Sequence, residues 1–311
     1  MKQLLFLIIT FLLIGCGTTK TDTTQPPSTN QSTPANGTPS TQQNNNTSSQ
    51  KNIYTCSNTL DSENSFNDTF IQNSSSDTEW SVSKYNKLKI SDIETAFNTA
   101  RAKDPTVTLP MTLPPQNIWD NYSSSEKILY LVNKERCDRG LRPFEGIDPK
   151  IVNEANNYAN YLKNHPEQYA AKPHEADGRT PLQRIAQDAG IIVNSNADAF
   201  PYGENIASFS VGSSGNDFPI VHEGEAKSVY GWMYQDKNEA YGHRYFLLAK
   251  GMLENSGNRN MEGLIGVGTA TRQYRNGDYF WTQVIIVMDG FDPRKNWDNN
   301  LAHTIRTDLY R

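Results

Sequence analysis

The sequence predicts an α+β domain carried on a disordered tether. Three observations lead there. From Ser123 onward, capped segments repeat apolar residues at helical spacing. Late in the chain, residues 264–268 and 279–288 change to strand composition around an Asn276-Gly277-Asp278 turn. Between Thr23 and Gln50 there is no charged residue and almost nothing that can be buried, so no gain offsets the entropy of ordering.

The chain has 311 residues, enough for one large or two small domains. Only 36% are apolar and the mean hydropathy is −0.68, so part of the chain is expected to stay unfolded. The formal charge of −5, from 29 basic and 34 acidic residues, gives no long-range pull on nucleic acid, and no nucleic-acid partner is expected. Three cysteines exclude a disulfide-dense scaffold and a zinc ribbon.

Met1-Lys2 precedes an apolar stretch from Leu4 to Ile14, broken only by Thr10. It is shorter than the ~20 residues of a membrane-spanning helix and has the layout of a secretory signal over residues 1–15. Leu13-Ile14-Gly15-Cys16 resembles a bacterial lipobox, which makes Cys16 the lipid-attachment site and mature residue one. The competing reading is an ordinary signal peptide with an incidental cysteine. The lipobox places the protein in a bacterial cell envelope, extracytoplasmic and held to a membrane by acyl chains at Cys16. Residues 16–52 then form a tether of roughly 30 Å reach. Pro26, Pro27, Pro34 and Pro39 argue against self-association of this run as strands.

Residues 53–122 read as a partly ordered extension. Trp80 and Tyr85 suggest packing, whereas Asn73-Ser74-Ser75-Ser76-Asp77 is loop chemistry. Ser91-Asp92-Ile93-Glu94 opens a short helix through Ala102, and Pro110, Pro114 and Pro115 keep the connector to Trp119 extended. Cys56 and Cys137 remain after lipidation. They are a candidate disulfide in an oxidising compartment, although sequence separation does not establish the geometry.

Organised structure begins at Ser123. Ser123 with Glu126 forms a capping box, Ile128, Leu131 and Val132 share a face, and Gly140 supplies the stop. Asp148-Pro149 caps a second helix, expected to bury Val152, Ala155, Ala159 and Leu162. Thr180 with Gln183 is a further capping box, opening a helix with Leu182, Ile185 and Ala189 inside and Gly190 behind. A fourth helix runs about Glu223 to Tyr234, and the hairpin follows. Helices first and strands late suggest an α+β sandwich.

These residues also carry a resemblance. Residues 131–136 (Leu-Val-Asn-Lys-Glu-Arg) and 140–144 (Gly-Leu-Arg-Pro-Phe) are similar to the opening of the CAP superfamily (cysteine-rich secretory, antigen 5 and pathogenesis-related 1; the SCP-like domain). His174 with Asp177-Gly178-Arg179-Thr180-Pro181 and Arg184 resembles the bacterial form of its first histidine motif. Gly203-Glu204-Asn205-Ile206-Ala207 resembles its GENxA stretch, Trp232 followed by Gly242-His243-Arg244 its GHR motif, and residues 264–268 the strand after it. The resemblance spans residues 123–290, leaving 291–311 as a carboxyl-terminal extension. It implies an α-β-α sandwich with a central antiparallel sheet covered by helices.

It also implies a polar cavity at His174, Glu204 and His243. The second glutamate of eukaryotic members corresponds to Gln235 here. Asp236 is adjacent, but on a helix it points ~100° away. Two imidazoles and a carboxylate suit a divalent ion such as zinc, with His174 and His243 as ligands and one position open for water or ligand. The other reading is that the histidines hold loops by hydrogen bonds while Glu204 accepts backbone amides. Residue types leave both open.

Other candidates weigh less. His165 precedes Pro166 and ends a helix, His222 is a substitute ligand, and His303 is solvated in the tail. Asn133 and Arg136 are expected to bond neighbouring loops, and Trp232 and Tyr245 to be core aromatics. No Gly-x-Ser-x-Gly elbow or phosphate-cradling glycine loop occurs, and Cys137 has no matching histidine motif. Two functions follow: a membrane-anchored binding module for an ion, lipid or protein surface, and, as the alternative, a metal-dependent, protease-like hydrolase using the same cavity. The missing second glutamate and absent nucleophile favour the first, so enzymatic activity is the lesser expectation.

Overall fold

The computed structural model describes residues 12–14, 66–73, 77–82, 87–141, 143–144, 146–189, 202–248 and 263–291, and among these a sheet runs between two helical layers. Cys16 of the expected tether and Cys56 of the extension lie outside the described residues, as do Tyr85, Gly190 and His303. Cys137 is disulfide-bonded. Among the described residues no helix is long and apolar enough to cross a membrane.

Capping chemistry sets the helices. Ser123 accepts from Glu126 N while the Glu126 carboxylate returns to Ser123 N, opening α4 (Ser124–Cys137), with Gly140 at φ +74° behind it. Asp148 caps α5 (Pro149–Asn164) by accepting from Lys150 N, and Thr180 with Gln183 opens α7 (Pro181–Asp188). Upstream lie α1 (Thr69–Asn73), α2 (Ile90–Arg101) and a single turn, α3 (Gln116–Trp119). The helices α6 (Pro166–Ala171), α8 (Gly224–Tyr234) and α9 (Gly242–Leu248) complete the set.

The strands are β1 (Leu12–Ile14), β2 (Gly146–Ile147), β3 (Tyr202–Ser214), β4 (Leu264–Asn276) and β5 (Tyr279–Phe291), in spatial order β1-β3-β5-β4-β2. β4 and β5 form the expected hairpin. Asn276 pairs with Tyr279, and Gly277 at φ +58° takes the left-handed place the tight turn needs. The expected antiparallel sheet is in fact mixed, because the two-residue β2 runs parallel to β4. On the outer edge of β3, Leu13 pairs antiparallel with Ala207.

Strand alternation sorts the core onto two faces. Ile206, Ala270, Ile285 and Val287 meet α5 on one side. Ala207, Phe209, Val267, Ile286 and Met288 meet the layer of α4, α8 and α9 on the other. The architecture is therefore α+β, an α-β-α sandwich. Phe70, Trp80, Phe97 and Trp119 from the upstream segment belong to the second of these clusters. Each large apolar side chain buried there contributes about 1.5–3 kcal/mol.

Two facing expectations need correction. On α5 the buried side chains are Ile151, Glu154, Ala155, Tyr158, Ala159 and Leu162, with Val152 only half-buried. On α7, Arg184 is buried with Ile185 while Leu182 is half-buried. On α5 the cause is a glycine seat. A Cβ on Gly266 would overlap the backbone at Ile151 and Val152, and one on Gly268 the Ala155 carbonyl. These two glycines let α5 rest directly on β4, which rotates Glu154 and Tyr158 toward the sheet.

Candidate functional site

The pleat of β3 puts Glu204 and Asn205 on opposite faces, and this decides which predicted residues meet. Glu204 faces α5 and α7. Its Oε1 lies 2.7 Å from His174 Nδ1, and its Oε2 accepts from Arg184 Nη2. Asn205 faces the other layer, where its Nδ2 donates to the His243 carbonyl. His243 therefore stands apart from the His174–Glu204 pair and bonds neither. The expected convergence of three residues reduces to two, because Glu204 and Asn205, neighbours in sequence, serve different faces of the sheet.

His243 is fully buried beside a carboxylate the helix argument had turned away. Asp236 Oδ1 lies 2.5 Å from His243 Nδ1, and Asp236 Oδ2 accepts the amides of His243 and Arg244. α8 ends at Tyr234, and Gln235 adopts φ −128°, ψ 44°, which breaks the ~100° progression and swings Asp236 inward. Gln235 is the half-buried one, donating to Glu79. Trp232 is buried and its ring lies 6.5 Å from the imidazole of His243. Tyr245, expected in the core, is 63% exposed because it lies on the outer side of the short α9.

Around Glu204 the sequence reading missed two acids and the role of one base. Arg184 Nε donates to Glu154 at 3.0 Å, its Nη1 donates to the carbonyls of His174 and Arg179, and its guanidinium lies 3.4 Å over the Tyr158 ring. Asp289 stands directly opposite Glu204 on β5, close enough to Glu154 for the two buried carboxyls to interact. Two buried carboxyls thus share one guanidinium, with Asp289 beside them and His174 at the mouth, its side chain 14% exposed.

The charges sort by position. Burial alone would raise Glu204, but Arg184 and His174 outweigh it and hold this carboxyl below its ordinary range. Burial raises Glu154, and burial with two neighbouring acids raises Asp289 well above the usual value. Burial and its two acidic neighbours therefore favour the neutral form of Asp289. Signals for these residues were present in the sequence: Glu154 interrupts the apolar stripe of α5, and Asp289 continues the alternation of Ile285 and Val287.

The donors do not fit the zinc site implied by the resemblance. Both oxygens of Glu204 are engaged, His243 lies on the other face, and among the described residues no three His, Cys, Asp or Glu side chains converge to hold a metal. His222 is half-buried on the loop before α8, and His165 caps α5 with its ring stacked on Tyr161 at 4.0 Å. Asn133 binds the Phe144 amide and carbonyl, and Arg136 reaches the Leu247 carbonyl, both holding loops. Comparison with known protein families, with curated proteins and with solved structures finds no match for this chain.

Proposed function

We propose that this protein is a lipid-anchored, extracytoplasmic binding module of the CAP type in a bacterial cell envelope, meeting its ligand at the His174 mouth. The Leu13-Ile14-Gly15-Cys16 sequence supports the anchor, and the helix-sheet-helix layering is consistent with the resemblance. One observation carries the binding reading: Glu204 is saturated. A general base needs an oxygen ready to take a proton, whereas this carboxylate is buried, ionised and engaged by Arg184 and His174. Its work is to orient the imidazole. His174 then presents a fixed polar group at the surface, backed by a buried network that does not need to move.

The test is an activity comparison on the full chain. Wild type, His174→Ala and Glu204→Gln are incubated with casein and with a fluorogenic ester. Equal background in all three is expected. Turnover in wild type that vanishes in both variants would replace this reading with the hydrolase alternative.

A further inference from the structure

The seat of α5 on the sheet ends at the row of Ala270 and Ile285, yet β3, β4 and β5 continue past it. On the same face, alternation places Gln283, Trp281 and Tyr279 of β5. The register sets Arg272, Tyr274 and Asn276 of β4 on one side of them, and Ser210, Gly212 and Ser214 of β3 on the other. Gly212 is eight residues along β3 from Glu204, about 26 Å at ~3.3 Å per residue. The face is remote from the His174 mouth.

Its centre is aromatic. The Trp281 and Tyr274 rings are 6.1 Å apart with planes 11° from parallel, and Tyr279 lies 6.3 Å from Trp281 and is 48% exposed. A Cβ on Gly212 would come within 2.6 Å of the indole, so the glycine is what lets Trp281 lie across the β3 backbone. The rim is polar and almost uncharged: Ser210, Ser214, Asn276 and Gln283, with Arg272 as the one cation, its guanidinium 5.4 Å from the Tyr274 ring.

We infer that this face is a second binding site, for an extended neutral glycan. A pyranose ring has an apolar C–H face and a rim of hydroxyls, which mirrors an aromatic centre ringed by hydroxyls and amides. Charge supports the choice. None of the nine positions is acidic, only one is basic, and the chain as a whole carries −5, which suits a neutral polymer and not a polyanion. A bilayer is the weaker partner, since none of the nine side chains is aliphatic and the turn at their end is the polar Arg275-Asn276-Gly277-Asp278. The site is built from side chains of three strands and not from backbone amides, which fits a ribbon-like chain better than a strand-forming peptide.

The probes are cellohexaose and chitohexaose, titrated calorimetrically into the full chain carrying Cys16→Ala, with mixed phosphatidylcholine–phosphatidylglycerol vesicles as a separate arm. Binding of at least one oligosaccharide is expected. Tyr279→Ala and Trp281→Ala should each weaken it about tenfold, while Trp281→Phe, which keeps a ring over Gly212, stays within about threefold. Tyr279 is exposed, so its variant remains informative if Trp281→Ala fails to fold. No binding of either oligosaccharide, or binding unchanged by Tyr279→Ala, overturns the inference. Vesicle binding without oligosaccharide binding overturns it in favour of a membrane. His174→Ala should leave oligosaccharide binding intact, so this site and the His174 mouth stand or fall separately.

Discussion

Glu204 and Asp289 face each other across β3 and β5, two buried carboxyls at one register position, with their proton affinities moved in opposite directions. Like charges directly opposite in a sheet are destabilising. Arg184 favours the ionised form of Glu204, while burial and the neighbouring acids favour the neutral form of Asp289, which eases the repulsion between them.

This arrangement predicts a stability that falls as pH rises. A carboxyl raised on folding favours the native state below its unfolded value and loses that contribution as pH climbs through its folded value. The limiting slope for one proton is about 1.4 kcal/mol per pH unit. Asp289→Asn should flatten this decline in urea midpoints measured from the ordinary carboxylate range upward. An unchanged slope would remove Asp289 as its source. On the acid side Asp104, held at about 2 by Arg139 and Arg244 against its own burial, works the other way. Its contribution is present above the ordinary carboxylate value and is lost as pH falls toward about 2.

Arg184→Met should be among the most damaging single changes. It leaves Glu204 and Glu154 buried without their cation, a situation that costs about 3–5 kcal/mol. His174→Ala removes only the partly exposed member and should cost about 1 kcal/mol. Chemical denaturation of the two variants checks the order, and equal losses would refute Arg184 as the centre of the network.

The glycine seat predicts a contrast between two Gly→Ala changes. Gly268→Ala must push α5 off β4, an overpacking effect of about 1–3 kcal/mol or more. Gly277→Ala meets open space and carries only the left-handed backbone cost of about 1–2 kcal/mol. Gly268→Ala should also disturb the Glu154–Asp289 contact, seen as a changed pH profile, whereas Gly277→Ala should leave that profile alone.

Cys16→Ala should abolish incorporation of a labelled fatty acid and move the protein out of the membrane fraction, since firm anchoring takes more than one acyl chain. Label retained by the variant would defeat the lipobox reading.

Much of the fold is legible in local chemistry. Ser123, Asp148 and Thr180 each write a helix start within four residues, and Asn276-Gly277-Asp278 writes the hairpin. β3 was visible only as a short motif because both of its faces are buried, so apolar and polar residues do not alternate cleanly along it. Of the site, His174 and Glu204 were readable as a pair. His243 was misplaced because the side of a strand on which its partner packs is a tertiary fact. Asp236 was dismissed by a helical angle that stops applying one residue after Tyr234. Glu154 and Asp289 were hidden because their meeting depends on how closely α5 descends onto two glycines.

The ion pairs joining the two ends of the fold bear on when it can form. Arg244 on α9 grips Asp68, 176 residues earlier, and also Asp104, which itself holds Arg139. Arg139 meets Glu135 and Asp104 as soon as α4 is made, but Arg244 meets Asp68 and Asp104 only when chain from both ends is present. Contacts so far apart in sequence make folding late and slow, and a chain emerging amino end first must wait for its last third before the first can settle.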